Sequence, residues 1–182
     1  MKLTNWTALA LLLAAPAMAQ DCPVEGNDAP LALHQAWIME GWERNEGDPD
    51  FVFTEKMARW YDLEDPDGVF YDNFAPGDTQ LFTDALEYGT NWEEFINGNR
   101  TILHGLTDAG SQVVSADVAS TTQGFVGMVD RLNGDQISFD ARSQIGWACV
   151  DGAWKIRQEL NYAWIVEPES IAAYYENGGT GQ

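Results

Sequence analysis

Apolar residues along this chain recur at helical spacing up to about residue 106 and alternate with polar ones beyond it. In the first part, Asp28-Ala29-Pro30 opens a predicted helix over 30–45, with Pro tolerated in the first turn. Leu31, His34, Ile38 and Trp42 fall on one of its sides. Gly47 and Pro49 break the pattern. A second helix is predicted from about Phe51 to Asp62, with Phe53, Met57, Trp60 and Tyr61 on its apolar face. Val69–Phe74 reads as a short strand between two turns, and Gln80–Leu86 as another. Asn91 with Glu94 three residues on marks the start of a third helix, which carries Trp92, Phe95, Ile96 and Leu103.

The alternating part divides into strand-like runs over 106–114, 117–131, 136–150 and 153–165. Asn133-Gly134 and Asp151-Gly152 separate the last three, and both dipeptides favour tight hairpins. With Asp151-Gly152 as a two-residue loop, Cys149 faces Trp154, Trp147 faces Ile156, Ile145 faces Gln158, Ser143 faces Leu160, Ala141 faces Tyr162 and Phe139 faces Trp164. That largely apolar set needs covering. Asp140, Arg142, Gln144, Lys155, Arg157, Glu159 and Asn161 then share the opposite face, and a slip of one residue would bury them. A short helix from Glu167-Pro168-Glu169 to about Tyr175 ends at Gly178. The order of elements predicts an α+β fold, with three N-terminal helices packed on a curved, four- to six-stranded, mostly antiparallel sheet.

Residues 1–19 change the picture of where the chain works. Lys2, the apolar run Ala8–Ala15 and the small residues Ala17 and Ala19 form a secretory signal peptide, with cleavage expected before Gln20. The run is too short to span a bilayer. The expected destination is periplasmic or secreted, with no membrane association after cleavage. A polar lead-in covers 20–30, the folded domain 31–176 and a flexible tail 177–182. Cys22 and Cys149 are the two cysteines. An oxidising compartment permits a disulfide between them, the alternative being a buried thiol and a free one.

Composition excludes more than it selects. Lys and Arg total 9 against 29 Asp and Glu, a formal net charge of −20. Nucleic acid needs clustered Lys and Arg, so it is excluded as a partner. Neither cysteine has a His at metal-ligand spacing, and the acidic stretch Asp62–Asp72 does not fit a calcium loop, so no metal site is expected. There is no phosphate loop or nucleophile elbow, and no cofactor is expected.

Met57-Ala58-Arg59-Trp60-Tyr61-Asp62 followed by Val69-Phe70-Tyr71-Asp72, Tyr88-Gly89 before Asn91-Trp92-Glu93-Glu94-Phe95, and Val150-Asp151-Gly152-Ala153-Trp154-Lys155-Ile156 lie in an order similar to the SnoaL-like branch of the nuclear transport factor 2-like superfamily. The resemblance covers about residues 31–166 and implies a cone, with a sheet curled around a helix and a pocket between them. Such proteins include polyketide cyclases, ketosteroid isomerases, dehydratases and binding or accessory proteins, so the resemblance implies a pocket and not a reaction. Many carry a late His-x-Ser ending; this chain has Gln158-Glu159-Leu160-Asn161-Tyr162 there.

Asp72 lies near where isomerase relatives place their general base, and aromatic walls would raise its pKa. His34, on the inner side of the first helix, could serve as acid, base or donor. His104 either points into the pocket mouth or caps the third helix. Tyr61 could donate to a substrate carbonyl. Trp37, Trp60, Phe70, Trp92 and Trp147 are candidate pocket walls, though most of the tryptophans must serve as core. Two functions stay open: binding of a small hydrophobic or aromatic molecule without chemistry, and a cofactor-free isomerase, cyclase or dehydratase working by proton transfer. The resemblance also admits a homodimer through the polar sheet face.

Overall fold

The long alternating runs pair as their turn dipeptides dictate. In the computed structural model, which describes residues 21–176, β5 (Val118–Arg131), β6 (Gln136–Val150) and β7 (Ala153–Ile165) form a continuous antiparallel meander. The expected signal peptide at 1–19 and tail at 177–182 lie outside the described residues. Beside β7 run β1 (Asp67–Asp72), parallel to it, and then β2 (Leu81–Asp84). Beside β5 run β3 (Asn99–Leu106) and, off the main path, β4 (Ser111–Ser115). The sheet thus has seven strands in the order β2-β1-β7-β6-β5-β3, with β4 on β5, exceeding the four to six expected.

Helix boundaries move in three places, each for a local reason. The first helix, α1 (Pro30–Ala36), passes into a π-helical turn at Trp37–Gly41, and Trp42 N–H donates to the Trp37 carbonyl. The expected second helix shrinks to α2 (Phe53–Lys56), and Tyr61 instead makes a parallel bridge to Ile156. The third, α3 (Ala85–Asn97), starts before Asn91. Asp84 caps it through bonds from the Leu86 and Glu87 amides, at 2.7 and 2.9 Å. Gly89 therefore sits inside α3. A Cβ there would lie 2.1 Å from the Phe53 ring, so the bare backbone is what lets α2 and α3 meet. The stretch holding Leu103 and His104 is strand, not the end of a helix.

The terminal helix α4 (Pro168–Glu176) packs on β3 beside Gly105, with Tyr175 Oη 3.3 Å from the Leu103 carbonyl. Cys22 and Cys149 form a disulfide, and Trp154 Nε1 donates to the Pro23 carbonyl at 2.7 Å, so the lead-in is tied to the β6–β7 hairpin.

The main departure is in that hairpin. Cys149 pairs with Trp154 and Trp147 with Ile156, as expected, but Gly146 pairs with Gln158 and Ile145 with Glu159. One extra residue, a β-bulge around Arg157, reverses the facing of every later residue in β7. Glu159, Asn161 and Ala163 turn inward and are buried, while Leu160, Tyr162 and Trp164 turn outward, 45%, 56% and 44% exposed. The Arg157 guanidinium is held on the loop before β1, 2.7 Å from Asp62 and 3.1 Å from Asp65.

Candidate functional site

Between the helices and the concave side of the sheet lies a cavity of about 380 Å³. The π-helical turn contributes Trp37 and Ile38, with Trp42 just past its end. In a regular helix, residues five apart diverge around the axis; the wider turn lets Trp37 and Trp42 share the cavity. Helix α3 supplies Tyr88, Trp92, Phe95 and Ile96; the sheet supplies Ile102 and His104 from β3, Phe125 and Val129 from β5, and Ile137, Phe139 and Ala141 from β6. Phe139 pairs with Gly127, and a Cβ at Gly127 would lie 1.9 Å from the Phe139 ring, so that glycine makes the room in which the ring stands.

The polar part of the lining is small: Asp72, Asn161, His104 and Arg131. Asp72 ends β1 and pairs with Asn161 on β7. Its Oδ1 accepts from the Phe74 amide at 2.7 Å and its Oδ2 from Asn161 Nδ2 at 3.1 Å. The same Nδ2 donates to Glu159 Oε1 at 2.6 Å. Glu159 is fully buried behind the lining; Tyr88 Oη donates to its Oε1 at 2.5 Å and Tyr61 Oη donates to its Oε2. Trp37 Nε1 in turn donates to Tyr61 Oη at 3.1 Å.

Burial raises the Asp72 pKa to about 6, against the opposing pull of the Phe74 and Asn161 donors. Burial raises Glu159 to about 7, with the nearby Asp72 charge adding to the rise and its hydroxyl and amide donors opposing it. Both tyrosines are raised well above their ordinary value, first by burial and then by the Glu159 charge. Burial thus acts on both carboxyls, of which Asp72 is the one that lines the cavity. Burial lowers His104 to about 4, so its ring is neutral; it stands edge-on to Phe125 and Phe139.

The sequence candidates separate in space. Asp72 and His104 both line the cavity, as do Trp37 and Trp92. His34 lies outside the lining, with Nδ1 2.8 Å from Thr121 Oγ1, which also accepts from Trp147 Nε1. Its pKa falls to about 3 through burial. Tyr61 is also behind the lining, its hydroxyl committed to Glu159. Trp60, Phe70 and Trp147 belong to the core, because their positions point between the layers and not into the gap. A simple hairpin register puts Glu159 and Asn161 on the solvated face; only the bulge turns them inward. Among the described residues no group of three His, Cys, Asp or Glu side chains could hold a metal ion.

No protein-family model matches the chain, and no curated protein matches it. Solved structures do. A protein from Xanthomonas campestris described as a calcium/calmodulin-dependent protein kinase II association domain is 17% identical with a TM-score of 0.55, over 79% of this chain and 91% of that one. A protein from Novosphingobium aromaticivorans described as an aromatic ring hydroxylase is 17% identical with a TM-score of 0.54, over 80% and 96%. A hexachlorocyclohexane dehydrochlorinase is 12% identical with a TM-score of 0.54, over 75% and 85%. A nuclear transport factor 2-like superfamily protein from Salmonella enterica is 13% identical with a TM-score of 0.50, over 57% and 72%. At these identities what is shared is architecture, and with a cavity between its helices and its seven-stranded sheet, the chain has the nuclear transport factor 2-like fold.

Proposed function

We propose that the cavity takes up a small, largely apolar molecule and that Asp72 acts on it as a general base. The observation that carries this reading is the position of Asp72: a carboxyl group only 8% exposed, lining a cavity walled mostly by aromatic and aliphatic side chains. A group meant only to fill space there would be apolar, since a buried carboxylate is costly. With its pKa raised to about 6, Asp72 is ionised at neutral pH yet basic enough to take a proton from carbon next to a carbonyl. The Phe74 amide and Asn161 hold its two oxygens in place. His104, neutral and also in the cavity lining, can hydrogen-bond to the oxygen on which charge develops, the role a neutral imidazole plays in the isomerase pattern. Isomerisation, cyclisation and dehydration all need no more than such proton transfers. Two of the fold neighbours are named as enzymes of small cyclic molecules, a dehydrochlorinase and a ring hydroxylase, which agrees with a cavity of this kind.

Binding without chemistry is the second reading. It is favoured by the tyrosine hydroxyls, which are spent on Glu159 and offer no donor to a ligand. Exchange of substrate C–H for deuterium, followed by NMR over a panel of hydrophobic ketones in heavy water, separates the two. The catalytic reading expects exchange that falls by about 10²-fold or more in Asp72→Asn. Exchange that persists in a folded Asp72→Asn protein removes Asp72 as the base, and no exchange in the unaltered protein leaves binding alone.

We infer further that the chain is exported and cut before Gln20. The Cys22–Cys149 disulfide supports this, since such bonds persist in oxidising compartments. Among the described residues no helix is long and apolar enough to cross a membrane. The intact mass of protein recovered from an exported fraction tests the cut. A homodimer through the outer sheet face is supported by the exposed Leu160, Tyr162 and Trp164. Sedimentation of a Tyr162→Lys variant tests it, a drop to monomer being the expected result.

A further inference from the structure

Five of the six arginines are engaged. Arg44 bonds backbone carbonyls around it, Arg59 reaches Asp28 and Glu40, Arg100 reaches Glu46 and Asp130, Arg142 meets Asp108, and Arg157 holds Asp62 and Asp65. The Arg131 guanidinium alone makes no hydrogen bond or ion pair among the described residues, in a chain with 29 acidic side chains to choose from. It is half-buried and lines the cavity. Its backbone is fixed: the Arg131 amide donates to the Asp135 carbonyl at 2.9 Å and closes the β5–β6 hairpin. Phe125, Gly127 and Val129 occupy the same side of β5, and Arg131 is the last position of that row.

Resting on the cavity reading above, we propose that Arg131 anchors a carboxylate on the ligand, so that the site selects small hydrophobic monoanions. Among the described residues Arg131 is the only Lys or Arg in the cavity lining. Its planar fork matches a carboxylate with two parallel bonds. A single positive charge in a chain of net charge −20 suits a monoanion better than a phosphate dianion. Position then sets orientation. Asp72 pairs with Asn161, Asn161 with Ser143, and Ser143 with Gln123, whereas Arg131 lies at the far end of β5 from that row. An anionic head at Arg131 is therefore kept from Asp72. The apolar body lies among Trp92, Phe95, Val129 and Phe139, and the far end of the molecule is presented to Asp72.

Three probes of one shape and different charge test this: 2-naphthoate, 2-naphthamide and 2-naphthylmethylammonium, titrated at low ionic strength with tryptophan fluorescence as the readout. The proposal expects 2-naphthoate to bind about tenfold tighter than 2-naphthamide, the worth of hydrogen bonds to a charged group. Arg131→Gln removes that difference, weakening 2-naphthoate far more than 2-naphthamide, and Arg131→Lys restores part of it. Equal binding of the acid and the amide, or a preference that survives Arg131→Gln, overturns the proposal and leaves the cavity reading standing. Tightest binding of the ammonium overturns it in favour of a cation held by Asp72 and the indole faces. Failure of all three probes to bind ends the cavity reading and this proposal with it.

Discussion

Asn161 Nδ2 lies 3.1 Å from Asp72 Oδ2, so the amide two residues beyond the buried Glu159 also holds the carboxyl that lines the cavity. Replacing Asn161 by Leu removes one donor from two buried acids at once. The expected cost is about 1–3 kcal/mol in urea unfolding at neutral pH, together with a further rise in both acid pKa values. Infrared titration of the protonated carboxyl stretch reads that rise; unchanged titration would show that the amide does not tune the pair.

The buried acids and histidines pull stability in opposite directions with pH. Asp72 and Glu159 have folded pKa values of about 6 and about 7, above their ordinary values near 4, so the native state holds extra protons between these limits. Their contribution to stability is lost as pH rises through that window. His34 and His104, pushed down to about 3 and about 4, hold fewer protons in the native state, and stability is lost as pH falls below 6.5. Glu159→Gln removes the larger acid term. Its urea midpoint is expected to climb relative to the unaltered protein as pH goes from about 5 to about 7, by an amount worth a few kcal/mol. A constant difference across that range would mean that Glu159 is already ionised at pH 5.

Filling the cavity should separate binding from folding. Ala141 is buried on the cavity wall. Ala141→Leu is expected to lower 2-naphthamide affinity at least tenfold while changing stability by less than about 1 kcal/mol, because the added atoms enter existing space. Retained binding, or severe destabilisation, would place the probe or the free volume elsewhere.

The disulfide joins residues 127 apart in sequence. Changing both Cys22 and Cys149 to Ser is expected to cost about 2–5 kcal/mol. Trp154, whose indole donates to the Pro23 carbonyl, should report the release of the lead-in through a red-shifted emission. Unchanged emission would show that the Pro23 contact holds without the disulfide.

The meander was readable because Asn133-Gly134 and Asp151-Gly152 name their turns and the runs between them alternate. What alternation alone could not reveal is the bulge. Both registers leave the Trp147–Ile156 pair intact, and the choice between them falls to the layers above the sheet. In the observed register Glu159 meets two tyrosine hydroxyls and an amide, which offset the burial that a pattern argument counts against it. The start of α3 was written locally, since Asp84 stands three residues before Glu87, but the Asn91–Glu94 pair carries the same signature. Packing of Gly89 against Phe53 requires the earlier start. The facing of His104 depended on whether residues 99–106 were helix or strand, and pairing with β5 decides that.

The pairing of β1 with β7 has a consequence in time. Val69 lies beside Gln158 and Asp72 beside Asn161, so an early strand waits for one of the last to be synthesised. Cys22 waits similarly, its partner lying in β6. A chain emerging in order can build α1 through β5 while both of these places stand open, and the floor of the cavity closes only when β7 arrives. Assembly is therefore back-loaded: a truncation before residue 149 takes Glu159 and Asn161 from beside Asp72 and leaves Cys22 without its partner and β1 without β7 at the front of the chain, the ingredients of aggregation.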